Sequence, residues 1–585
     1  MSAFEARLRT PRGWRTFRNP FKVLQATRLE DVASCLADVD TAVRDGAYAA
    51  GFVTYEAAGA FGLPAHAVPS GALPLVSFGV FSPDSVTSDA RLPAGGAYST
   101  GTWTPSIDRA QYAEAIRRVR ARIEAGDTYQ INFTFRLTAG FEGDPLALLR
   151  DLDAAQDGPW GAYVDAGRHV ICSASPELFF AIDGDRLECR PMKGTAPRGL
   201  WPEADRRLAE GLHASEKNRA ENVMVVDMVR NDLGRIARTG SVETTPLFRV
   251  ERYPLQWQMT SSVRARADGV GLPRLFEALF PSGSITGAPK HSSMGIIRGI
   301  ETAPRGIYTG AIGYMSPHGR GHFNVAIRTI AIDRERQEAE FGVGSGIVWD
   351  SVERDEYDEC LLKASILLKR PPSSYAIGSR PDFRLLETIG WAPEAGFALL
   401  RRHFERLKGS AASFGFECDV AEIETMLKTA IADLPAPAKV RVLLSRDGAI
   451  VCEAVDLSPP LDRRVRCALA ADPVDPADVF LYHKTTRRDV YERARASRPE
   501  ADAVILWNAA GDVTEATDAN VVVLIDGRKV TPPIESGLLA GTLRAELLEK
   551  REIVEARVSV AQLKSAEQVW LVNSVRGWLE AELIA

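Results

Sequence analysis

The sequence predicts a mixed α/β (α+β) chain in two units, and three observations predict it. Stretches with apolar residues every three or four positions alternate with stretches of period two, so helices and strands interleave. A Pro- and Ser-rich segment at 371–381 interrupts that alternation and reads as a linker. The composition, 45% apolar and 25% charged, is that of a soluble globular protein, and 585 residues allow about four domains of ordinary size.

The net charge of -6 argues against nucleic acid as the partner. No apolar run approaches a membrane span. Seven scattered cysteines without a C-x-x-C pair indicate neither a zinc cluster nor a disulfide framework, and fit a reducing cytoplasm. The start is basic (Arg7, Arg9, Arg12, Arg15, Arg18) but lacks an apolar core, so it is not read as a secretory signal.

Residues 1–105 read as short strands and loops, with 51–56 a strand and no chemistry evident. The stretch 106–126 is an amphipathic helix, with Tyr112, Ile116, Val119 and Ile123 on one face. Strand 128–137 alternates Ile131, Phe133, Phe135 and Leu137 with Gln130, Asn132, Thr134 and Arg136, a polar face that either meets solvent or lines a cleft. A strand region at 171–182 breaks at Ser175-Pro176-Glu177. Lys193 follows in LECRPMKGTAPRG, between a strand and a Gly-Thr loop; a lone lysine is by default a surface residue. Helix 215–230 has Ser215 as N-cap and leaves Glu221 beside apolar residues, where a carboxylate needs a partner.

The loop 281–290, PSGSITGAPK, runs into a helix whose first N–H groups favour anions. Strands are expected at 308–314 and 322–332, the latter carrying Arg328. The stretch 342–346, GVGSG, reads as a glycine-rich turn whose N–H groups make an anion cradle. A helix opening near Ser351 then places Glu356, Glu359 and Lys363 on one face, beside an apolar stripe of Tyr357, Cys360, Leu361, Ala364 and Leu368. Alone, such a Glu pair is usually a solvated helix face. Beside an anion cradle it suits a carboxylated substrate held through a hard cation, since Mg²⁺ takes one or two carboxylates plus water and ligand oxygens.

After the linker, 382–390 is a strand and 396–414 a helix carrying Arg406, with a hinge at 471–479. Lys484 sits in LYHKTTRRDVY, and 514–520 precedes the buried-looking strand VVVLI. The loop 537–544 runs into a helix, which suits phosphate; it is not a nucleotide P-loop, because the Gly-Lys-Ser/Thr ending is missing.

PMKGTAPRG, RAENVMVVDMVRNDLGR, GSITGAPK, YTGAIGY, FNVAIRT and GSGIVWDSVERDEYDECLLKA, in this order over roughly 111–369, resemble the chorismate-binding enzymes. That family includes anthranilate synthase component I, aminodeoxychorismate synthase component I, and the isochorismate and salicylate synthases. The resemblance implies a large α/β sandwich around a Mg²⁺-dependent site, occupying 1–370 with its motif core at about 106–369. Glu221 and Glu359 would be metal ligands, with Glu356 reaching the metal through water. Ser284, Tyr314, Arg328, the Gly344-Ser345-Gly346 stretch and Lys363 would hold the carboxylates of chorismate. Glu177 resembles the general acid that protonates the departing hydroxyl.

Two positions choose among members. Water-adding members carry a lysine where this chain has Gln130. Anthranilate synthases generally have alanine where this chain has Lys193, which resembles the nucleophile of aminodeoxychorismate synthase. Its amine would expel the ring hydroxyl, and ammonia would then add and expel the lysine; to attack it must be partly neutral. Departures are Asn218, where anthranilate synthases have Glu, and Gln258, where many members have His. No cysteine sits in a Gly-x-Cys-x-Gly elbow, so ammonia is expected from a separate glutamine amidotransferase (glutaminase) subunit, or free.

The second part, 382–585, resembles the class IV pyridoxal 5'-phosphate (PLP) enzymes, namely branched-chain and D-amino-acid aminotransferases and aminodeoxychorismate lyase. A small subdomain at about 382–470 and a large one at about 480–585 are implied. Lys484 would bind PLP covalently, and Glu515 would pair with its pyridine nitrogen. Arg406, Thr542, Leu543 (through its N–H) and Ser574 would hold the phosphate. KVRVLLSRDG and VNSVRG look more like the lyase than the aminotransferases. The expectation is a bifunctional enzyme making 4-aminobenzoate for folate, dimeric through its PLP part. Its rivals are a synthase fused to a general class IV aminotransferase, and an anthranilate synthase-like component I.

Overall fold

The computed structural model describes residues 4–156, 158–254, 256–367, 383–457 and 462–584. The chain divides into two compact units. One holds the described residues up to Arg198 and from Leu208 to 367; the other holds Gly199–Arg207 and the described residues from 383 onward. The linker expected at 371–381 and Leu368 lie outside the described residues.

Two large antiparallel sheets build the first unit, with eleven and nine strands among the described residues. Their inner faces meet in a core of Phe4, Leu8 and Phe17 from one sheet and Ala50, Phe52 and Phe81 from the other. Fully burying each such Leu or Phe is worth about 1.5–3 kcal/mol. Helices cover the outer faces. On one side Val32–Arg44 and Leu272–Leu279 pack on Phe78, Phe180 and Phe323. On the other, Tyr112, Ile116 and Val119 of helix Arg109–Glu124 pack on Ile131, Phe133 and Phe135 of the long strand Gln130–Gly143. That helix starts at a capping box between Asp108 and Gln111. The result is the expected α/β sandwich.

Four local expectations are corrected. Residues 1–105 are more ordered than loops: helix Val32–Arg44 and strands Phe4–Thr10, Tyr48–Val53 and Val76–Phe81 belong to the sandwich. Strand 76–81 is buried at every position, so it shows no alternation in sequence. The stretch 342–346 is not a turn. It lies in strand Glu338–Ile347, which pairs with 130–143 so that Gly344 opposes Thr134 and Gly346 opposes Asn132. The 322–332 strand is two, Arg320–Val325 and Thr329–Asp333, broken where Arg328 takes φ +53°. The 396–414 helix begins only at Leu400, because Gly396–Phe397 pairs as a short strand with residues 391–392.

The polar face at 130–136 does not meet solvent: Gln130, Asn132, Thr134 and Arg136 are all buried. Arg305, fully buried, donates to the carbonyl oxygens of Asn132 (2.7 Å) and Ile285 (2.8 Å) and pairs with Glu301 at 2.7 Å. It thereby ties that strand to the 283–285 turn.

In the second unit, strand Leu385–Ala392 lies in a four-stranded antiparallel sheet beside Ala438–Leu444. An eight-stranded sheet holds the tight hairpin Val513–Ala516/Ala519–Ile525, and Val521, Val522 and Val523 are fully buried, as the VVVLI run predicts.

Candidate active sites

In the first unit, side chains from separate stretches enclose a cavity of about 280 Å³. Its floor is a strip of Gly342, Gly344 and Gly346. Side chains alternate along a strand, so Val343 and Ile347 point the other way, into the helix-packed core. Ser345 goes with them. Its Oγ lies 3.2 Å from the Tyr112 hydroxyl and donates to Glu356, so it does not line the cavity.

The glycines are there for clearance. A Cβ on Gly342 would fall 2.1 Å from the Tyr308 ring, and one on Gly346 would fall 2.6 Å from Lys193 Nζ and 2.7 Å from Gln130 Nε2. The amine of Lys193 therefore rests close over bare backbone. Lys193 sits on strand Met192–Pro197, and the chain beyond it is braced. Asn222 donates to the Lys193 carbonyl (3.3 Å), Gln258 donates to the Gly194 carbonyl (3.0 Å), and Gly194 takes φ +96° against Asn218. Of the two departures from the family pattern, Gln258 thus braces the strand that carries Lys193, whereas Asn218 lies beside Gly194 and bonds Ser215.

Helix Glu353–Ala364 turns Glu356, Glu359 and Lys363 into the cavity, and helix Glu216–Gly234, capped by Ser215, brings Glu221 to it. Glu177, Ser284 and Arg328 complete the wall. Burial lowers the Lys193 pKa from the usual lysine value; the charge of Glu221 opposes this and that of Lys363 adds to it. Burial raises Glu177 to about 7, against the hydroxyl of Ser284, which donates to it at 2.6 Å. Burial likewise raises Glu221, and the charges of Glu356 and Glu359 push the same way. Burial acts upward on Glu359 too, but Lys363 at 2.7 Å outweighs it and holds that carboxyl low. Lys363 also donates to the Gly344 carbonyl (2.9 Å). Burial brings Arg328 down to about 10, and its guanidinium donates to the Lys363 carbonyl (2.9 Å).

Tyr314 is not brought to this cavity. It packs against Phe17 and His322 in the sandwich core, with ring centroids 5.6 and 4.9 Å apart. Tyr308 lines the cavity in its place, as do Asn132 and Lys217, which sequence reasoning did not single out. Only Asn132 carried a signal, as part of the regular polar face.

The residue types suit a hard cation, since four carboxylates (Glu177, Glu221, Glu356 and Glu359) share one cavity. It is not a closed protein cage. Among the described residues no three His, Cys, Asp or Glu are arranged to hold a metal. Glu356 is engaged by Ser345 and by Ser351 (2.7 Å), and Glu359 by Lys363. A hard cation held here would have to draw those carboxylates from their present partners and complete its shell with water and ligand oxygens.

The second unit holds a cavity of about 420 Å³ lined by Lys484, Glu515, Arg406, Thr542 and Ser574. Leu543 does not line it by its side chain, which packs with Val522, Leu547 and Val572; its expected contribution was a backbone N–H at the start of helix Thr542–Glu549. Burial lowers Lys484 to about 8, with Arg406 adding and Glu387 opposing. Burial raises Glu515 to about 7, opposed by the Tyr491 hydroxyl (2.7 Å) and the Leu539 N–H (3.1 Å) that donate to it. Six cationic side chains line this cavity (Arg406, Lys439, Arg441, Lys484, Arg488, Arg576) against two acidic ones, Glu515 and Asp518. That surplus, beside a helix N-terminus, fits a phosphate together with a further anion. Tyr491 and Arg488 stand in LYHKTTRRDVY, but a sequence gives no distance to Glu515.

Fold and cavities define an α/β protein with two enzyme-type sites, one rich in carboxylates and lysine, one rich in cations around a buried lysine. The family model described as chorismate binding enzyme matches residues 5–369, and the chain belongs to that family. The model for amino-transferase class IV matches 384–584. Aminodeoxychorismate synthase component 1 of Salmonella typhimurium is 39% identical over 46% of this chain and 59% of that protein. Anthranilate synthase component 1 1 of Haloarcula marismortui is also 39% identical, over 48% of this chain and 58% of that protein. The aligned part thus spans little more than half of these relatives. The crystal structure of anthranilate synthase component I from Streptococcus pneumoniae TIGR4 matches with TM-score 0.51 and 25% identity, covering 62% of this chain and 91% of that one. Among the described residues no helix is long and apolar enough to cross a membrane.

Proposed function

We propose that the chain converts chorismate and ammonia into 4-amino-4-deoxychorismate in its first unit, and eliminates pyruvate from that product in its second to give 4-aminobenzoate. Equal identity to an aminodeoxychorismate synthase and an anthranilate synthase leaves the choice to the site. The observation that carries it is the Lys193 amine lying over Gly346 in the carboxylate-lined cavity.

Its lowered pKa enlarges the neutral fraction able to attack. The amine bonds to the ring carbon and the ring hydroxyl leaves as water, taking its proton from Glu177, which at about 7 is still partly protonated in neutral solution. Ammonia then bonds at the para position, and the Lys193–carbon bond breaks. Arg328, Lys363 and the N–H groups of the glycine strip hold the carboxylates, with Ser284, whose hydroxyl donates to Glu177, beside them. Glu221 and Glu359 would hold Mg²⁺, with Glu356 through water, and the ion would supply charge neutralisation for the substrate.

In the second unit Arg406, Thr542, Ser574 and the helix start would hold the phosphate of PLP, and Glu515 would pair with its ring nitrogen. PLP supplies an electron sink when bound. Lys484 would move the substrate ring proton beside the amine; pyruvate leaves and the ring becomes aromatic. The relatives named component 1 imply a second component, here a glutaminase subunit that supplies ammonia, and a homodimer through the PLP part belongs to the same reading.

The test supplies chorismate, ammonia, Mg²⁺ and PLP to wild type, Lys193→Ala and Lys484→Ala. Lys484→Ala should accumulate the aminated intermediate, and Lys193→Ala should lose or divert amination. The ortho isomer from wild type would overturn the reading of Lys193. Keto-acid exchange without 4-aminobenzoate would overturn the lyase step.

A further inference from the structure

Behind the second cavity, out of its lining, lies a buried side-chain chain that no part of the mechanism uses. His403, on helix Leu400–Phe414, and Glu387, on strand 385–392, are 0% and 2% exposed. His403 Nδ1 is 2.7 Å from Glu387 Oε2. Its Nε2 is 3.0 Å from Ser574 Oγ and 3.3 Å from Thr542 Oγ1. Arg406 closes on the same carboxylate with both edges of its fork, at 2.9 and 2.6 Å.

The hydrogen-bond directions follow from chemistry. Burial opposes charge on Glu387, but Arg406 and His403 outweigh it and bring its pKa down to about 2. Glu387 is therefore an acceptor only, and Nδ1 must carry a proton. That fixes the ring's orientation. Nε2 then meets two hydroxyls at once, the two that line the cavity beside Arg406. A hydroxyl that uses its hydrogen on Nε2 cannot give it to a ligand; a hydroxyl that accepts from Nε2–H can.

Resting on the reading that this cavity holds the phosphate of PLP, we propose that His403 is a positioning residue. Anchored by Glu387 through Nδ1–H, and with Nε2–H as the donor toward the hydroxyls of Ser574 and Thr542, it leaves their hydrogens free to be donated to the phosphate. The same carboxylate locks Arg406, so one buried group sets three of the phosphate's partners. This role concerns the phosphate alone. It predicts a loss confined to ligands that carry one.

The measurement is binding of PLP and of pyridoxal, which lacks the phosphate, to full-length protein stripped of cofactor, followed by the absorbance change on binding. Asn can replace Nδ1 but not reach the hydroxyls, whereas Gln can present a donor near the Nε2 position. His403→Asn should weaken PLP binding by about tenfold to a hundredfold, the size of one hydrogen bond to a charged group, and leave pyridoxal binding unchanged. His403→Gln should keep most of the preference for PLP. In Ser574→Ala, adding His403→Asn should cost less than it does in wild type. Equal losses for PLP and pyridoxal would overturn the proposal, because general packing would produce them, as would an unchanged PLP preference in His403→Asn. Should His403→Asn fail to fold, His403→Gln decides: a preference reduced to the level of Ser574→Ala contradicts the proposal. Wild type that binds no PLP would instead sink the cofactor reading itself.

Discussion

In the first reaction as proposed, Lys193 is the nucleophile, Glu177 the acid and Gly346 the clearance beneath the amine, and each role has its own test. Glu177, raised to about 7 by burial, must be protonated to serve the leaving hydroxyl. Amination at constant free ammonia should therefore fall as pH rises through about 7. Glu177→Gln keeps a neutral partner for Ser284 but has no proton to give, so it should lose about 10²–10⁴ in rate and lose that alkaline limb. A pH profile of kcat/KM checks both. Gly346→Ala would set a methyl 2.6 Å from the lysine nitrogen. It should abolish amination while far-ultraviolet circular dichroism stays unchanged, because the obstruction falls on a side-chain end.

Packing between elements sets two further expectations. Arg305 joins the 130–143 strand, the 283–285 turn and Glu301 in a fully buried cluster. Arg305→Met leaves Glu301 uncompensated and should cost about 3–5 kcal/mol, read by urea unfolding. A loss under about 1 kcal/mol would contradict that. Glu387 ties strand 385–392 to helix 400–414 and titrates at about 2, below its ordinary 4.5. A depressed carboxyl stabilises the fold above its unfolded value, and that contribution disappears as pH falls toward the folded one. Stability of the second unit should thus drop between about pH 4.5 and 2, and Glu387→Gln should flatten that drop in acid titrations followed by circular dichroism.

Over the whole molecule, each cavity draws its lining from within one unit. The two chemistries should therefore separate by mutation. Lys193→Ala should still turn supplied 4-amino-4-deoxychorismate into 4-aminobenzoate at the wild-type rate, as a direct assay of the second step would show. Much of this layout was legible in sequence, because motif spacing reports helix faces well. Glu356, Glu359 and Lys363 face one cavity, as i, i+3 and i+7 require. What sequence could not supply was facing across elements. Ser345 reads as part of a glycine cradle until strand alternation turns it toward Glu356. Tyr314 and Tyr308 are two tyrosines of one region, and only the folded sheet decides that Tyr314 enters the core. His403 looks like one more polar residue of an amphipathic helix, since its partners stand 16 and 171 residues away.

The central claim is that the Lys193 amine bonds to the substrate ring. Intact-mass analysis of the full-length protein with chorismate and Mg²⁺, ammonia withheld, tests it most directly. A mass increase equal to chorismate less water, mapped by peptide digestion to Lys193 and absent from Lys193→Ala, is the result expected. An unmodified chain, or a modification at another residue, would contradict it.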